Sequence, residues 1–310
     1  MKIVVFGYSE FTRRCVLELQ QRGMDILLLC PECDRELFAS YGMHEIAVQQ
    51  LIFHDMDDPV LLDALRDFSP DYLFSIIFSH LVPDHILSMA RHGSVNFHPA
   101  PLPAFRTANA WFWPLRHGAE SSALCLHYMT SRWDSGDLVL QVPFSLSPLE
   151  TQGTYVQKVC ELAPAVVQQL MALMNRGPLP RTPQGKGRYY GKVTLGDIFI
   201  DFNEGARGIE ALVRACNPFH YAQTMFRDKN IEIVEADLTG RASDGVPGSL
   251  LFEDGELYCA AADELLHLRI LQVPMEGTFS GRRFALQYGV NSGERLRHIR
   301  EFPQFQHLLQ

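Results

Sequence analysis

The chain lacks any apolar run approaching the roughly 20 residues a helix needs to cross a bilayer, which argues against a helical membrane span. No long apolar stretch with a small-residue cleavage site precedes the first strand pattern, Met1-Lys2-Ile3-Val4-Val5-Phe6-Gly7, so a cytoplasmic location is expected. Dense Lys/Arg runs are missing as well. The 27 Lys and Arg face 36 Asp and Glu, a net charge of −9. Nucleic-acid binders present a basic face to phosphates, so this balance argues against such a partner. Lys186, Arg188 and Lys192 come nearest to a basic run and read as a solvated stretch. Gly7-Tyr8-Ser9 joins a strand to a helix without G-x-G-x-x-G, which excludes the usual dinucleotide turn. No His pair has zinc-ligand spacing on one helix face. Cys30-Pro31-Glu32-Cys33 has C-x-x-C spacing, but no second pair completes a zinc site, so it reads as two thiols at a strand end. The other five of the seven cysteines sit singly in apolar segments and read as reduced core residues. No metal is expected.

What is present is enough for two domains: 310 residues, 47% hydrophobic and 20% charged. Strands alternate with helices through the first half: Ile3–Phe6, a helix capped by Ser9, Ile26–Leu29, a short unit including Ile46–Val48, a helix from Pro59, Tyr72–Ile77, and a helix from about Pro83 to Ala90. This order predicts a Rossmann-like, mostly parallel sheet of α/β class. Ala110-Trp111-Phe112-Trp113 reads as a core helix against that sheet, and Tyr155–Met174 as a long helix with a kink at Pro164. The Pro- and Gly-rich stretch from 178 to 190 has the composition of a linker. It divides a catalytic domain, 1–177, from a C-terminal domain, 191–310. Beyond it, Asp197–Phe202 reads as a strand and Glu204–Ala215 as a helix. Five short β segments follow, which suggests a small barrel.

The chain is organised around Ser94-Val95-Asn96-Phe97-His98-Pro99-Ala100-Pro101-Leu102-Pro103. Val95 and Phe97 alternate with Asn96 and His98, so an amide and an imidazole share one face of a strand. Prolines then stop the strand. In an open α/β sheet, ligands bind at such carboxyl ends. Further on, Trp133-Asp134-Ser135-Gly136-Asp137 puts a carboxylate on a tight loop between the apolar run 122–129 and Leu138-Val139-Leu140-Gln141. A carboxylate can fix an imidazole tautomer and stabilise its charged form. Asn96, His98 and Asp134 thus supply an oxyanion donor, a base and an orienter. No Ser or Cys stands beside them in a nucleophile motif. Acyl transfer to a nucleophile brought by the substrate is the natural inference.

Asn96-Phe97-His98-Pro99 with Leu102-Pro103, followed by Asp134-Ser135-Gly136-Asp137, resembles the signatures of the 10-formyltetrahydrofolate-dependent formyltransferases. The resemblance covers nearly the whole chain and reaches the sugar N-formyltransferases and methionyl-tRNA formyltransferase. It implies the formyltransferase fold, with an open OB-like barrel at the C-terminus. It implies 10-formyltetrahydrofolate as co-substrate, held by Phe78, Ser79, His80, Leu81, Arg132, Trp133 and Asp134, partly through backbone groups. It also implies a small-molecule amine acceptor touched by Tyr8, Ser9, Phe105 and Arg106, with Asn96, His98 and Asp134 catalytic. His80 and His127 are further candidates to line the pocket. The barrel carries no catalytic cluster and is expected to pair two copies of the chain.

The favoured acceptor is a nucleotide-linked amino sugar; the alternatives are a hydroxyornithine or peptide-precursor amine, or initiator methionyl-tRNA. Against tRNA, Pro31–Gln49 lacks the basic, glycine-rich insertion of the tRNA enzymes. Hydrolysis of the formyl donor is disfavoured by the missing N-terminal regulatory domain, and a dead binding module by the intact Asn96, His98 and Asp134. After Arg106, Thr107-Ala108-Asn109-Ala110-Trp111 replaces the glycine and proline-containing segment of the relatives, which points to an unusual acceptor.

Overall fold

The computed structural model describes residues 1–305 as two compact units. The first comprises 1–110, 121–145 and 156–191; the second comprises 111–120, 146–155 and 192 onward. Thus Trp111–Glu120 and Leu146–Tyr155 group with the later part of the chain, and the stretch 178–190 groups with the first unit.

In the first unit, β1 (Lys2–Phe6), α1 (Glu10–Gln21), β2 (Asp25–Pro31), β3 (Gln49–Phe53), α2 (Pro59–Phe68), β4 (Tyr72–Ile76) and β5 (Ser94–His98) follow the expected alternation. Two further strands, β6 (Ser121–Tyr128) and β7 (Leu138–Ser145), complete a sheet of order β3-β2-β1-β4-β5-β6-β7. The first five are parallel; β6 is antiparallel to β5, and β7 is antiparallel to β6. Ile3, Val4, Val5, Phe6, Leu73 and Phe74 have no exposed surface, as strands covered on both faces require. Ser9 caps α1 and Asp58 caps α2, each accepting a backbone N–H of the first turn. The long helix α3 (Gln152–Met174) runs on through Pro164.

Several sequence expectations shift. Ile46–Val48 is turn, and β3 begins at Gln49. The helix after Pro83 is one turn, Asp84–Leu87. The aromatic segment gives a helix, Phe112–Arg116, that groups with the second unit and packs there on α4 (Ala206–Cys216). Asp197–Phe202 is no strand: Thr194 and Asp197 form a reciprocal capping box that winds Leu195–Ile198 into a helical turn. Only Phe199 bridges to Gln223.

The stretch read as a linker is fastened to the first unit. Leu179 is buried, Thr182 bridges Leu138 with paired backbone bonds, and Tyr189–Tyr190 pairs in parallel with Arg106–Thr107.

The second unit continues with β8 (Ala222–Phe226), β9 (Lys229–Ala242), β10 (Leu250–Glu253), β11 (Glu256–Ala260), β12 (Glu264–Val273), β13 (Gly277–Ser280), α5 (Gly281–Tyr288) and β14 (Leu296–Arg297). These strands form a curled antiparallel half-barrel of order β10-β11-β12-β9-β8-β14, with β13 beside β12. One bridge, Ser249–Arg295, ties its two ends. Next to it, Gly248 has φ +88°, and a Cβ there would stand 2.2 Å from the Leu296 carbonyl, so only glycine fits. Among the described residues, no helix is long and apolar enough to cross a membrane.

Candidate active site

β5 delivers Asn96 and His98 at the carboxyl edge of the sheet, and the proline turn then leaves the strand. β6 pairs antiparallel with β5 in a register that puts His127 opposite Asn96 and Cys125 opposite His98. The loop between β6 and β7 folds back, and Asp134 adopts φ 50° within it. Two residues later the backbone passes so close to β6 that a Cβ on Gly136 would lie 1.9 Å from the Tyr128 carbonyl oxygen. The glycine lets the loop close, and the closed loop buries the Asp134 carboxylate beside β5.

One carboxylate oxygen, Asp134 Oδ1, gathers the cluster. It lies 3.6 Å from His98 Nδ1, 3.5 Å from His127 Nε2 and 3.4 Å from Asn96 Nδ2. The other oxygen accepts the Thr107 backbone N–H at 3.0 Å. Partner chemistry fixes the tautomers, because a carbonyl can only accept. His98 Nε2 faces the Phe105 carbonyl at 2.8 Å and so carries a hydrogen, leaving Nδ1 to exchange protons. His127 Nδ1 faces the Tyr128 carbonyl at 2.9 Å and so carries a hydrogen; in the neutral ring Nε2 then takes an N–H from Asn96 at 3.1 Å.

Burial pushes His98 down, helped by His127; Asp134 opposes this, but the net pKa is below the ordinary imidazole value. Burial pushes the Asp134 carboxyl up, but His98, His127 and the Thr107 amide together outweigh it and hold it below its usual range. The ground state is therefore a neutral His98 beside an ionised Asp134, and a proton arriving at Nδ1 is stabilised by the carboxylate.

Cys125, next to His98 across the ladder, is the thiol to weigh as a nucleophile. Burial pushes it up to about 12, and its Sγ accepts the Leu102 N–H at 3.4 Å. It is a packed core thiol, not an attacking thiolate.

The carboxyl ends of β1 and β4 carry a second group. Tyr8 Oη and Ser79 Oγ are 2.6 Å apart, and the Phe78 ring packs against Phe6, Tyr8 and His80. Burial pushes the Tyr8 phenol up to about 12, so it stays protonated. His80 Nε2 lies 2.6 Å from Asp34. Leu81 and Trp133 are exposed. The Arg132 carbonyl accepts from Ser135 Oγ at 3.1 Å.

Three residues expected to touch the acceptor have structural engagements. The Ser9 hydroxyl caps α1. Phe105 stacks its ring on Tyr190 and holds His98 through its carbonyl. Arg106 donates to Gln184 Oε1 at 3.0 and 3.2 Å and to the Gly185 carbonyl at 3.2 Å. Gln184 in turn donates to the Asp134 and Gly136 carbonyls at 3.1 and 2.6 Å, which clamps the loop. Sequence reasoning missed Gln184 altogether and gave His127 only a marginal place. For His127 the signal was its register, since a polar residue inside β6 that faces Asn96 must share its partner.

A family model described as formyl transferase matches residues 1–171, and one described as formyl transferase, C-terminal domain, matches 192–289. The chain belongs to the formyl transferase family. Solved structures share its fold. HypX from Aquifex aeolicus in complex with tetrahydrofolic acid is 17% identical, with TM-score 0.64 over 95% of this chain and 48% of that one. The chain thus spans about half the length of HypX. An N-formyltransferase from Helicobacter canadensis, in complex with folinic acid and dTDP-3-aminofucose, is 12% identical, with TM-score 0.67 over 86% and 99%. Methionyl-tRNA formyltransferase from Clostridium thermocellum is 13% identical, with TM-score 0.55 over 77% and 93%.

Proposed function

We propose that this formyl transferase moves a formyl group from 10-formyltetrahydrofolate to a primary amine of a small molecule, with a nucleotide-linked amino sugar as the favoured acceptor. The observation that carries this reading is the convergence of Asn96, His98 and His127 on Asp134 Oδ1, with no activated nucleophile beside them. Such a site serves a transfer whose nucleophile comes with the acceptor. The folate and dTDP-amino-sugar complex of the Helicobacter neighbour supports the choice of donor and acceptor.

The amine nitrogen bonds to the donor's formyl carbon, the bond from that carbon to N10 breaks and tetrahydrofolate leaves; the chain's residues manage charge and protons around this exchange. Neutral His98 takes the amine proton at Nδ1, within reach of the Asp134 charge that stabilises the imidazolium. Asn96 donates an N–H to the developing oxyanion by exchanging its longer bond, the 3.4 Å contact to Asp134, while the 3.1 Å bond to His127 keeps the amide oriented. Phe78, Ser79, His80 and Leu81, with Arg132 and Trp133, wall the donor; Tyr8 and the Phe105–Arg106 turn border the acceptor.

A second reading is favoured by the segment after Arg106, Thr107-Ala108-Asn109-Ala110-Trp111: the acceptor is then a group other than an amino sugar. Incubating the purified protein with 10-formyltetrahydrofolate and a panel of dTDP- and UDP-amino sugars, hydroxyornithine and methionyl-tRNA, with product mass detection, tests both. Formyl transfer to an amino sugar supports the first reading. Transfer only to another acceptor supports the second, and none to any amine defeats the proposal.

A further inference from the structure

We propose that Cys33, Asp34 and His80 form a three-ligand site for a borderline divalent metal of the zinc class. β2 ends at Pro31, and the 3-10 turn Glu32–Asp34 sets Cys33 and Asp34 just past its carboxyl end. His80 lies on the loop after β4. β2 and β4 flank β1, so both loops overhang the same stretch of sheet edge. There one ligand atom from each of the three side chains lies within 4.8 Å of the others. His80 Nε2 and Asp34 Oδ2 already stand 2.6 Å apart.

Tetrahedral zinc, with bonds of about 2.0–2.3 Å, separates its ligand atoms by about 3.3–3.8 Å. Closing on an ion therefore asks only for small side-chain rotations on two loops. Thiolate, imidazole and carboxylate together suit zinc or cobalt; magnesium and calcium want oxygen alone. Three protein ligands leave a position for water or an anionic group.

The C-x-x-C spacing offers Cys30 as the obvious partner for this thiol. Cys30 is buried in β2, with its Sγ donating to the Pro31 carbonyl at 3.3 Å. Cys33 is exposed, and the fold gives it Asp34 and His80 instead, the latter from 47 positions downstream, a juxtaposition no spacing rule can see. The site stands whether or not the chain transfers formyl groups.

Of the seven cysteines, Cys33 is the exposed one and six are buried, so a spectroscopic thiolate signal reports on it. The full chain, freed of metal by a chelator, is titrated with Co²⁺ and scanned for the thiolate-to-cobalt charge-transfer band. We expect the band to saturate at one equivalent, to be displaced by Zn²⁺, and to vanish in Cys33→Ser. We expect Asp34→Asn and His80→Ala each to weaken Zn²⁺ binding at least about tenfold in calorimetric titration. Circular dichroism confirms that each variant is folded. No band with the native chain, a band undiminished in Cys33→Ser, or unchanged Zn²⁺ affinity in Asp34→Asn and His80→Ala would overturn the site.

Discussion

Asn96 and His127 face each other across the β5–β6 ladder, and the imidazole Nε2 accepts the amide N–H at 3.1 Å. Because His127 Nδ1 donates to the Tyr128 carbonyl, Nε2 is left to face the Asn96 amide and the Asp134 carboxylate. His127→Phe removes the acceptor and leaves a buried N–H without its partner, which costs about 1–3 kcal/mol. We expect kcat to fall about tenfold or more, with the KM for the formyl donor changing less, and His127→Gln to recover part of the loss. A purely structural His127 would lower stability and leave kcat per folded molecule intact, so kinetics and thermal melting are measured on the same preparations.

Asn96→Ala, His98→Ala and Asp134→Ala should each reduce turnover by about a hundredfold or more. The losses should not add, because Asp134 Oδ1 serves the other two at once. A His98→Ala enzyme with near-normal turnover ends the catalytic assignment.

The pH dependence follows from the directions of the two shifts. His98 is the base when neutral, and burial holds its pKa below the ordinary value of about 6.5. The acid limb of kcat/KM should therefore have its midpoint below about 6.5, with a plateau through neutrality. For stability, the unfolded chain protonates His98 at higher pH than the folded chain does. Folding therefore weakens as pH drops below about 6.5. The lowered Asp134 contributes stability above its unfolded pKa and loses it as pH falls through the folded one, so both groups make acid destabilising. An acid limb centred above about pH 7 contradicts a neutral, buried His98.

Much of this was legible in the sequence because it rests on local rules. Alternation along 94–98 put Asn96 and His98 on one face, and the nearly continuous apolar run 72–77 marked a doubly covered strand. The α/β order and the curled antiparallel second unit followed from the same periodicities. What escaped depends on long-range pairing or on a local rule outvoted by another. The apolar run Ile198-Phe199-Ile200 within 197–202 suggested a strand, but the Thr194–Asp197 capping box wound its start into a helical turn. The aromatic segment at 111–113 was recognisably apolar, yet composition cannot say which surface such a helix covers; it covers α4.

The stretch from 178 to 190 shows the same limit and gives the last prediction. Its prolines and glycines have linker composition, but composition reports only that no regular element forms there. Gln184 from this stretch clamps the Asp134 loop through two carbonyls, and Arg106 holds the Gln184 side chain from the other side. Asp134 needs that clamp, because its φ of 50° is a conformation a non-glycine residue keeps only when its surroundings enforce it. Gln184→Ala should lower kcat about tenfold while the folded fraction changes little, since the lost bonds tie a surface loop rather than the core. Arg106→Ala should act in the same direction, and the double variant should be no worse than the more damaged single one, because both act through the same loop. A chain cut at Gly177 should then show impaired formyl transfer even if the first unit folds. If Gln184→Ala keeps full turnover, the Asp134 loop holds its shape without this clamp, and the stretch supports the first unit only through its Leu179, Thr182 and Tyr189–Tyr190 contacts.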